Sequence, residues 1–309
     1  MDENNNYGMD EIKFEGPTDA PELICMIHGW PDDLHLWDRL ALELLSTNKY
    51  RVLRVTMPGY SDNEEIRKMA GVLDPNFHEV ATMIANVIKQ YQKSSEDKAI
   101  LVIHDWGSVT GVQLQRLFPG LVKKMVIMDV GPTDTASPIS LIFAGIFYQY
   151  QNILAYLLWR YMPIIGAPIG DWLHRFQLKR FTNNYDKKFG EYRNLNQSAS
   201  AAYYYYHYQM NFWLDWIGIR KNPMAPSPKN KSMNPSVPTL FLFGTTGLGH
   251  AFQDWSKELQ KRNDSDVVSI EGDHWFMLKS PNATNKAVLE WLNFDEKGGK
   301  FTPQFRSSL

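Results

Sequence analysis

The stretch from Ala99 to Phe118, AILVIHDWGSVTGVQLQRLF, constrains the fold of this chain more than any other. It begins with an apolar run that contains β-branched residues, which is typical of a buried parallel strand. From Val109 onward the apolar residues follow a helical spacing. The strand therefore turns directly into a helix, with Asp105 at the apex. This is the arrangement of a nucleophile elbow, in which a tight turn lifts one side chain above the sheet.

Asp105 permits two interpretations. A carboxylate in this position can attack an electrophilic carbon and form an ester that water later cleaves. The alternative is an Asp that only caps the following helix, and for an isolated Asp that role is the more common one. Three further motifs along the chain favour the nucleophile.

These motifs each follow a predicted strand. Residues 28–32 (HGWPD) follow the first clear core strand, residues 58–61 (PGYS) the next, and residues 272–275 (GDHW) the last. Together with the elbow they resemble segments of α/β-hydrolase enzymes with an Asp nucleophile: epoxide hydrolases and haloalkane dehalogenases, with fluoroacetate dehalogenases as near relatives. The resemblance implies an α/β-hydrolase fold, with a mostly parallel twisted sheet flanked by helices and an inserted helical cap.

Alternating strands and helices favour a parallel sheet covered on both faces. We predict strands near Ile12–Phe14 and at Leu23–Ile27, Arg51–Met57, Ala99–Ile103, Lys124–Met128, 238–243 and 266–270. We predict helices at Leu36–Leu45, Asn76–Tyr91, Phe252–Leu259 and Ala283–Leu292, and a polar surface segment at Asp62–Leu73. Several strand-end loops then gather at the carboxyl edge of the sheet, where open α/β sheets bind ligands.

Residues 132–232 differ from this pattern, because they contain helical stretches and no clear strand. The stretches are Ile139–Tyr161, Ile169–Phe181 and Ser198–Trp216. The family that the chain resembles inserts its cap at this place. We therefore predict a core domain of residues 1–131 and 233–309 and a helical cap (lid) domain of residues 132–232.

The apolar stretch from Ile139 to Trp159 raises the question of a membrane span. Gln149, Gln151 and Asn152 interrupt it, and a spanning helix tolerates such polar groups poorly. We expect a cap helix that lines an apolar cavity, with membrane insertion as the alternative. Contact between the cap and a membrane surface is disfavoured.

The resemblance assigns Asp105 as the nucleophile and His274 as the general base that activates water. Asp273, directly before His274, departs from the Gly-His pair that is usual in the family. The backbone N–H groups of Trp30 and Trp106 correspond to the oxyanion hole, and we expect both residues to line the substrate site.

The acid that orients His274 is missing from its usual place in epoxide hydrolases, a Gly-x-x-Asp turn, because residues 244–247 read GTTG. In many haloalkane and fluoroacetate dehalogenases this acid follows an earlier strand, 24 residues after the nucleophile, and Asp129 lies 24 residues after Asp105. We therefore predict the triad Asp105, His274 and Asp129, with strand-end capping as the alternative role of Asp129. Asp254 is a second candidate for the acid.

Epoxide opening also needs a donor for the departing oxygen, which two cap tyrosines supply in the family. Tyr150 and Tyr206 lie closest to the family positions and are predicted to bind the substrate, with Tyr148 and Tyr208 as near alternatives. Because the cap is rich in tyrosine, aromatic packing is another explanation for these residues.

The net charge of −2, with acids and bases interspersed, gives no basic footprint for nucleic acid. The single cysteine, Cys25, lies in an apolar strand, and we expect a core residue in a reducing compartment.

The acidic, polar N-terminal segment does not resemble a signal or transit peptide, so we expect a cytoplasmic location. The C-terminal Ser307-Ser308-Leu309 is a loose variant of a peroxisomal tripeptide, which makes that compartment the alternative.

Three functional hypotheses follow. The first is hydrolysis of an epoxide to a diol through an ester on Asp105. The second is haloalkane dehalogenation by the same triad. Residues Ile103–Ser108 and the position of Asp129 favour it, whereas Trp30, where many haloalkane dehalogenases have a halide-holding Asn, counts against it. Trp106 stands where fluoroacetate dehalogenases have Arg, which disfavours fluoroacetate as the substrate. The third is a catalytically idle protein that serves as a binding or assembly subunit. For an enzyme we expect a small apolar organic substrate and no metal or cofactor.

Overall fold

The computed structural model describes residues 8–61, 63, 66, 74–132, 139–189, 197–221 and 235–294, with the backbone alone at 139–146 and 181–189. Seven strands in these residues form one sheet: β1 (Glu11–Glu15), β2 (Glu22–Ile27), β3 (Tyr50–Thr56), β4 (Ala99–His104), β5 (Val122–Met128), β6 (Thr239–Gly244) and β7 (Asp266–Ile270). Their order is β1-β3-β2-β4-β5-β6-β7; β1 is antiparallel to β3, and every other neighbouring pair is parallel. The predicted mostly parallel sheet is confirmed.

Helices connect these strands. They are α1 (Asp38–Ser46), α2 (Phe77–Tyr91), α3 (Trp106–Leu117), α4 (Ile139–Tyr161), α5 (Gly166–Phe189), α6 (Tyr203–Trp216), α7 (Gln253–Gln260), α8 (Phe276–Lys279) and α9 (Pro281–Leu292). Short 3-10 helices at Leu34–Trp37, Ala199–Ala202 and Leu248–Phe252 precede α1, α6 and α7.

The sheet is buried on both faces, because alternate residues of a strand point to opposite sides. On β2, Leu23, Cys25 and Ile27 pack in the core that contains residues of α2, α3 and α7. Ile24 and Met26 pack in the core that contains residues of α1, α8 and α9. This double burial explains the continuous apolar runs of the strands, and the prediction that Cys25 is a core residue is confirmed.

Helices α4, α5 and α6 lie between β5 and β6, where the described residues form no strand. The predicted helix Ile139–Tyr161 has those bounds, whereas the second begins three residues earlier and ends at Phe189. The division into core and cap domains stays a prediction, because segments 133–138 and 222–234 lie outside the described residues, as do most of Asp62–Leu73 and the C-terminal tripeptide. In the part of the chain that is described, no helix is both long and apolar enough to cross a bilayer.

Polar contacts join the helical region between β5 and β6 to loops at the carboxyl edge of the sheet. The Gln197 side chain donates to the carbonyl of Pro31 at 2.6 Å. Asp74, in the loop before α2, accepts hydrogen bonds from Tyr156 on α4 and from His207 on α6, the latter at 3.0 Å. These contacts attach α4, α6 and the segment before α6 to the loops on the side of the sheet that carries the predicted site residues.

Candidate active site

The elbow predicted at Asp105 is formed by the direct passage from β4 to α3. Asp105 has φ 50° and ψ −123°, a conformation that residues other than glycine rarely adopt and that costs about 1–3 kcal/mol. Its carbonyl oxygen accepts the N–H of Ser108 at 2.8 Å, while its side chain makes no capping hydrogen bond to α3. Helix capping therefore does not account for this carboxylate.

The Asp105 carboxylate faces the two donors that were predicted to form the oxyanion hole. Oδ2 accepts the backbone N–H of Trp30 at 2.9 Å, and the backbone N–H of Trp106 also stabilises the charge. Gly29 permits this approach, because a Cβ atom there would overlap the Asp105 side chain and lie 2.7 Å from the Trp106 nitrogen. Burial raises the pKa of Asp105, and the charge of His274 and the two N–H groups oppose that rise without cancelling it.

His274 lies between the two predicted acids. Its Nδ1 is 2.6 Å from Oδ2 of Asp129, and its Nε2 is 3.8 Å from Oδ1 of Asp105. The first distance is a strong hydrogen bond and the second is too long for one. Burial alone would lower the pKa of His274, but the hydrogen bond and charge of Asp129 and the charge of Asp105 outweigh it and raise that pKa.

Asp129 follows β5 in the left-handed region, at φ 61°, and is fully buried. Among the described residues, His274 is the basic side chain that is hydrogen-bonded to this carboxylate. Asp129 also accepts backbone N–H groups at the end of β6 and just after it, from Gly244 at 3.2 Å, Leu248 at 2.9 Å and Gly249 at 3.3 Å. Burial raises the pKa of Asp129, but the hydrogen bond and charge of His274, with the N–H of Leu248, more than offset it, so the pKa is lowered.

Two hydrogen bonds join the motif loops to one another. The indole N–H of Trp275 donates to Asp32 at 2.9 Å, which ties residues 272–275 to residues 28–32. Nε2 of His28 accepts the N–H of Met57 at 2.9 Å, so Nδ1 carries the proton and donates to the carbonyl of Gly29 at 2.9 Å. Sequence reasoning assigned no role to Asp32 or His28, although both stand inside a motif that it had selected.

His104, directly before the elbow, is a second imidazole beside His274. The ring centroids are 4.5 Å apart, and Nε2 of His104 is 3.0 Å from the carbonyl oxygen of His274. Burial, together with the charge of His274, lowers the pKa of His104 to about 3. His104 is therefore neutral and positions the His274 backbone.

Two cap tyrosines lie over this group, Tyr148 on α4 and Tyr205 on α6. The Tyr205 ring centroid is 5.0 Å from that of Trp106 and 6.0 Å from that of Trp30, and the Tyr148 centroid is 5.6 Å from that of Tyr205. Burial raises the pKa of both hydroxyls, to about 12 for Tyr148, and the charge of Asp105 contributes to both shifts. Both phenols are therefore protonated donors close to Asp105.

The predicted tyrosines lie elsewhere. Tyr150 is half exposed on α4, and its hydroxyl accepts the indole N–H of Trp213 at 2.9 Å. Tyr206 packs against Tyr156, with ring centroids 5.4 Å apart, on the side of α6 that faces Asp74. Each prediction missed by the rotation of a helix, because residues one or two positions apart point to different sides.

Two alternatives of the sequence analysis can also be located. Tyr208 lies near the site, its ring centroid 5.5 Å from that of Trp106. Asp254 is the wrong choice for the orienting acid, because its side chain is 95% exposed on α7 and pairs with Lys257. No three His, Cys, Asp or Glu side chains of the described residues are grouped so as to bind a metal ion.

A model of the α/β hydrolase fold family matches residues 22–281. Epoxide hydrolase 1 of Caenorhabditis elegans is 22% identical over 287 residues, which are 90% of this chain but 66% of that protein, just under two thirds of its length. A fluoroacetate dehalogenase of a Burkholderia species is 22% identical and is covered more evenly, at 92% of this chain and 91% of the relative.

Solved structures support the same fold. The Bacillus megaterium epoxide hydrolase in complex with an inhibitor superimposes with a TM-score of 0.65 at 17% identity. The match covers 93% of this chain and 99% of that one. At this identity the likeness concerns the fold, and the choice of reaction depends on the site.

Proposed function

The chain belongs to the α/β hydrolase fold family, and we propose that within this family it hydrolyses an epoxide to a diol. The observation that carries the proposal is the position of Tyr148 and Tyr205: both rings pack against Trp30, whose backbone N–H binds the Asp105 carboxylate. Opening an epoxide leaves an alkoxide oxygen that must be protonated, whereas a halide leaves as a stable anion that needs no proton. The similarity to epoxide hydrolases is consistent with this choice.

In the first step, Oδ1 of Asp105 attacks an epoxide carbon. A C–O bond of the ring breaks, an ester forms on Asp105, and the ring oxygen receives a hydrogen bond and then a proton from Tyr148 or Tyr205. Oδ1 is the suitable oxygen because Oδ2 is held by the N–H of Trp30. The buried carboxylate is poorly solvated, which favours its reaction with carbon.

In the second step, His274 takes a proton from a water molecule that attacks the ester carbonyl carbon. The distance of 3.8 Å between His274 Nε2 and Asp105 Oδ1 is suited to a water between base and ester. The N–H groups of Trp30 and Trp106 stabilise the oxyanion that forms. The ester C–O bond then breaks, His274 protonates the departing oxygen, and the proton left on Asp105 restores the tyrosine hydroxyl. The net reaction is epoxide plus water to diol.

The test traps the ester by removing the base. His274→Gln is incubated separately with an aryl epoxide and with a bromoalkane, and the intact mass of the protein is measured. We expect an adduct of the whole epoxide mass that accumulates on His274→Gln and is absent from the double variant that also carries Asp105→Asn. An alkyl adduct without bromine would move the assignment to dehalogenation.

Haloalkane dehalogenation is the second candidate, because Asp129 follows β5 as the relay acid does in many dehalogenases, and a fluoroacetate dehalogenase is similar over most of its length. Halide release does not need the two tyrosines as proton donors. In addition, the Trp30 side chain stands where many haloalkane dehalogenases have a halide-holding Asn. If neither reagent labels a folded His274→Gln protein, both enzymatic assignments fail and a binding or assembly role replaces them.

A further inference from the structure

The outer surface of α4, α5 and α6, with the turns that follow α4 and α6, is unusually apolar. Of the nineteen exposed large apolar side chains in the described residues, sixteen lie between Phe147 and Ile219. Several of them are nearly as accessible as in an extended chain, Ile164 at 88% and Trp216 at 73%. Soluble proteins rarely expose so many large apolar side chains in one region unless the region binds something.

These side chains follow helical spacing, so each cap helix is apolar on its outer side as well as on its buried side. The exposed stripes consist of Phe147, Tyr150, Leu154 and Tyr161 on α4; Ile169, Trp172 and Phe176 on α5; and Met210 and Trp213 on α6 with Ile217 directly after it. Positions three and four apart share one face of a helix. We call these stripes, with Met162, Ile164 and Ile165 in the turn between α4 and α5, the outer cap face.

The outer cap face is bordered by basic residues. Arg175, Lys179 and Arg180 are exposed on α5 beside Trp172 and Phe176. Residues 132–232 contain six more basic than acidic residues, although the whole chain has a net charge of −2, so the rest of the chain is acidic by eight. The positive charge is therefore concentrated in the segment that also exposes apolar side chains.

We propose that the outer cap face is a docking surface for the interface of an anionic lipid bilayer. Trp, Tyr and aliphatic side chains enter the boundary between headgroups and acyl chains, and Lys and Arg beside them are attracted to anionic headgroups. A second copy of this chain is a poorer occupant, because two such faces would bring like charges together.

The proposal gives the cap a second task beyond enclosing the site. Tyr148 lies on the inner side of α4 and its neighbour Phe147 is 76% exposed on the outer side. A helix that rests on a bilayer therefore also reaches Asp105, and an apolar substrate dissolved in lipid is concentrated beside the site.

The test is cosedimentation of the full-length protein with vesicles of phosphatidylcholine alone and of phosphatidylcholine mixed with phosphatidylserine. We expect binding to the mixed vesicles that salt weakens. The variant Arg175→Gln/Lys179→Gln removes two charges and should lower the partition coefficient on the order of 25-fold, at about fivefold for each basic residue. Ile165→Ser/Trp172→Ser should lower it at least as much.

Matched controls come from the core. Leu42 is an exposed apolar residue of α1, and Lys257 and Lys261 are exposed bases in and just after α7. Leu42→Ser and Lys257→Gln/Lys261→Gln should bind vesicles as the unaltered protein does, and circular dichroism confirms that every variant is folded. Equal binding by cap and control variants, or no binding to mixed vesicles, overturns the proposal. A concentration-dependent dimer that only the cap variants lose, without vesicle binding, would assign the face to self-association.

Discussion

Gly247 lies against the carboxylate of Asp129 so closely that no side chain fits between them. A Cβ atom added at Gly247 would overlap Oδ1 of Asp129 and lie 3.0 Å from its Cγ. The backbone at Gly247 has φ −85°, which every residue type adopts, so the glycine is needed for space and not for conformation. A side chain at position 247 and the carboxylate of Asp129 would therefore occupy the same space. The GTTG turn has no acid at position 247 because the acid that orients His274 follows β5 instead.

This placement of the acid can be tested by reversing it. Gly247→Asp alone should unfold at a lower temperature, because its side chain overlaps Asp129 and adds a second buried carboxylate. The double variant Asp129→Gly/Gly247→Asp should recover much of the lost thermal stability and part of the hydrolase activity. Thermal unfolding and turnover are measured on both variants and on Thr246→Asp, a neighbouring control. A double variant that is no more stable than Gly247→Asp would contradict the steric link.

Asp129→Asn should change both the rate and its pH dependence. His274 must be neutral to accept a proton from water, and its raised pKa places the acidic limb of the rate profile above pH 6.5, the ordinary value for histidine. The amide that replaces the carboxylate donates to Nδ1 and leaves the proton on Nε2, so turnover should fall by about 10⁴-fold. Loss of the carboxylate charge should also move the acidic limb to lower pH. An unshifted limb would show that Asp129 does not set the pKa of His274.

The two cap tyrosines should matter for epoxides and not for halides. Tyr148→Phe or Tyr205→Phe should each slow ester formation from an epoxide by about 10²–10³-fold, the effect of losing one donor to a developing oxyanion. The intact mass of the protein, followed in a single turnover, measures this step directly. A bromoalkane that labels Asp105 serves as the control substrate, because its leaving bromide needs no proton. Tyr150→Phe and Tyr206→Phe are the matched controls and should leave the rate unchanged. An equal loss in all four variants would indicate packing instead of proton donation.

The hydrogen bonds of Asp74 to Tyr156 and His207 attach α4 and α6 to the loop before α2, and this attachment should weaken in acid. Burial would raise the pKa of Asp74, but hydrogen bonds from His207 and Tyr156 outweigh it and lower the pKa. A lowered folded-state pKa means that this carboxylate stabilises the fold at pH above its ordinary value of about 4, and that the contribution is lost as pH falls through the folded-state pKa. Protection factors of the backbone amides in α4 and α6, which are corrected for the intrinsic slowing of amide exchange by acid, should therefore fall as pH is lowered. In Asp74→Asn they should already be low at neutral pH, whereas Asp264→Asn, which removes a partly exposed ion pair with Arg262 just before β7, should leave α4 and α6 protected.

The fold was accessible from sequence because its strands are buried on both sides. Runs such as Ala99–Ile103 must be apolar at every position to sit between two helical layers, so their bounds could be predicted within one or two residues. The positions of Asp105 and His274 follow from the same rule, since Asp105 comes directly after β4 and His274 lies in the loop that follows β7. Their separation in the structure, 3.8 Å between the nearest charged atoms, is a consequence of parallel strands ending at one edge.

The cap residues could not be located in the same way. A helix turns about 100° per residue, so an error of one position moves a side chain to another face, and Tyr203 to Tyr206 give four equal choices. The apolar outer sides of α4, α5 and α6 remove the amphipathic pattern that would otherwise show which face is inward. Tyr205 was missed for this reason.

The neighbouring rings of His104 and His274 have a consequence for how the site is observed. Burial keeps the pKa of His104 at about 3, while Asp129 and Asp105 hold that of His274 above its ordinary value. Near neutrality, only one ring of this pair changes charge. A proton-detected titration of the two imidazoles should therefore record a single event, and of these two rings only His274 takes up and releases protons during turnover.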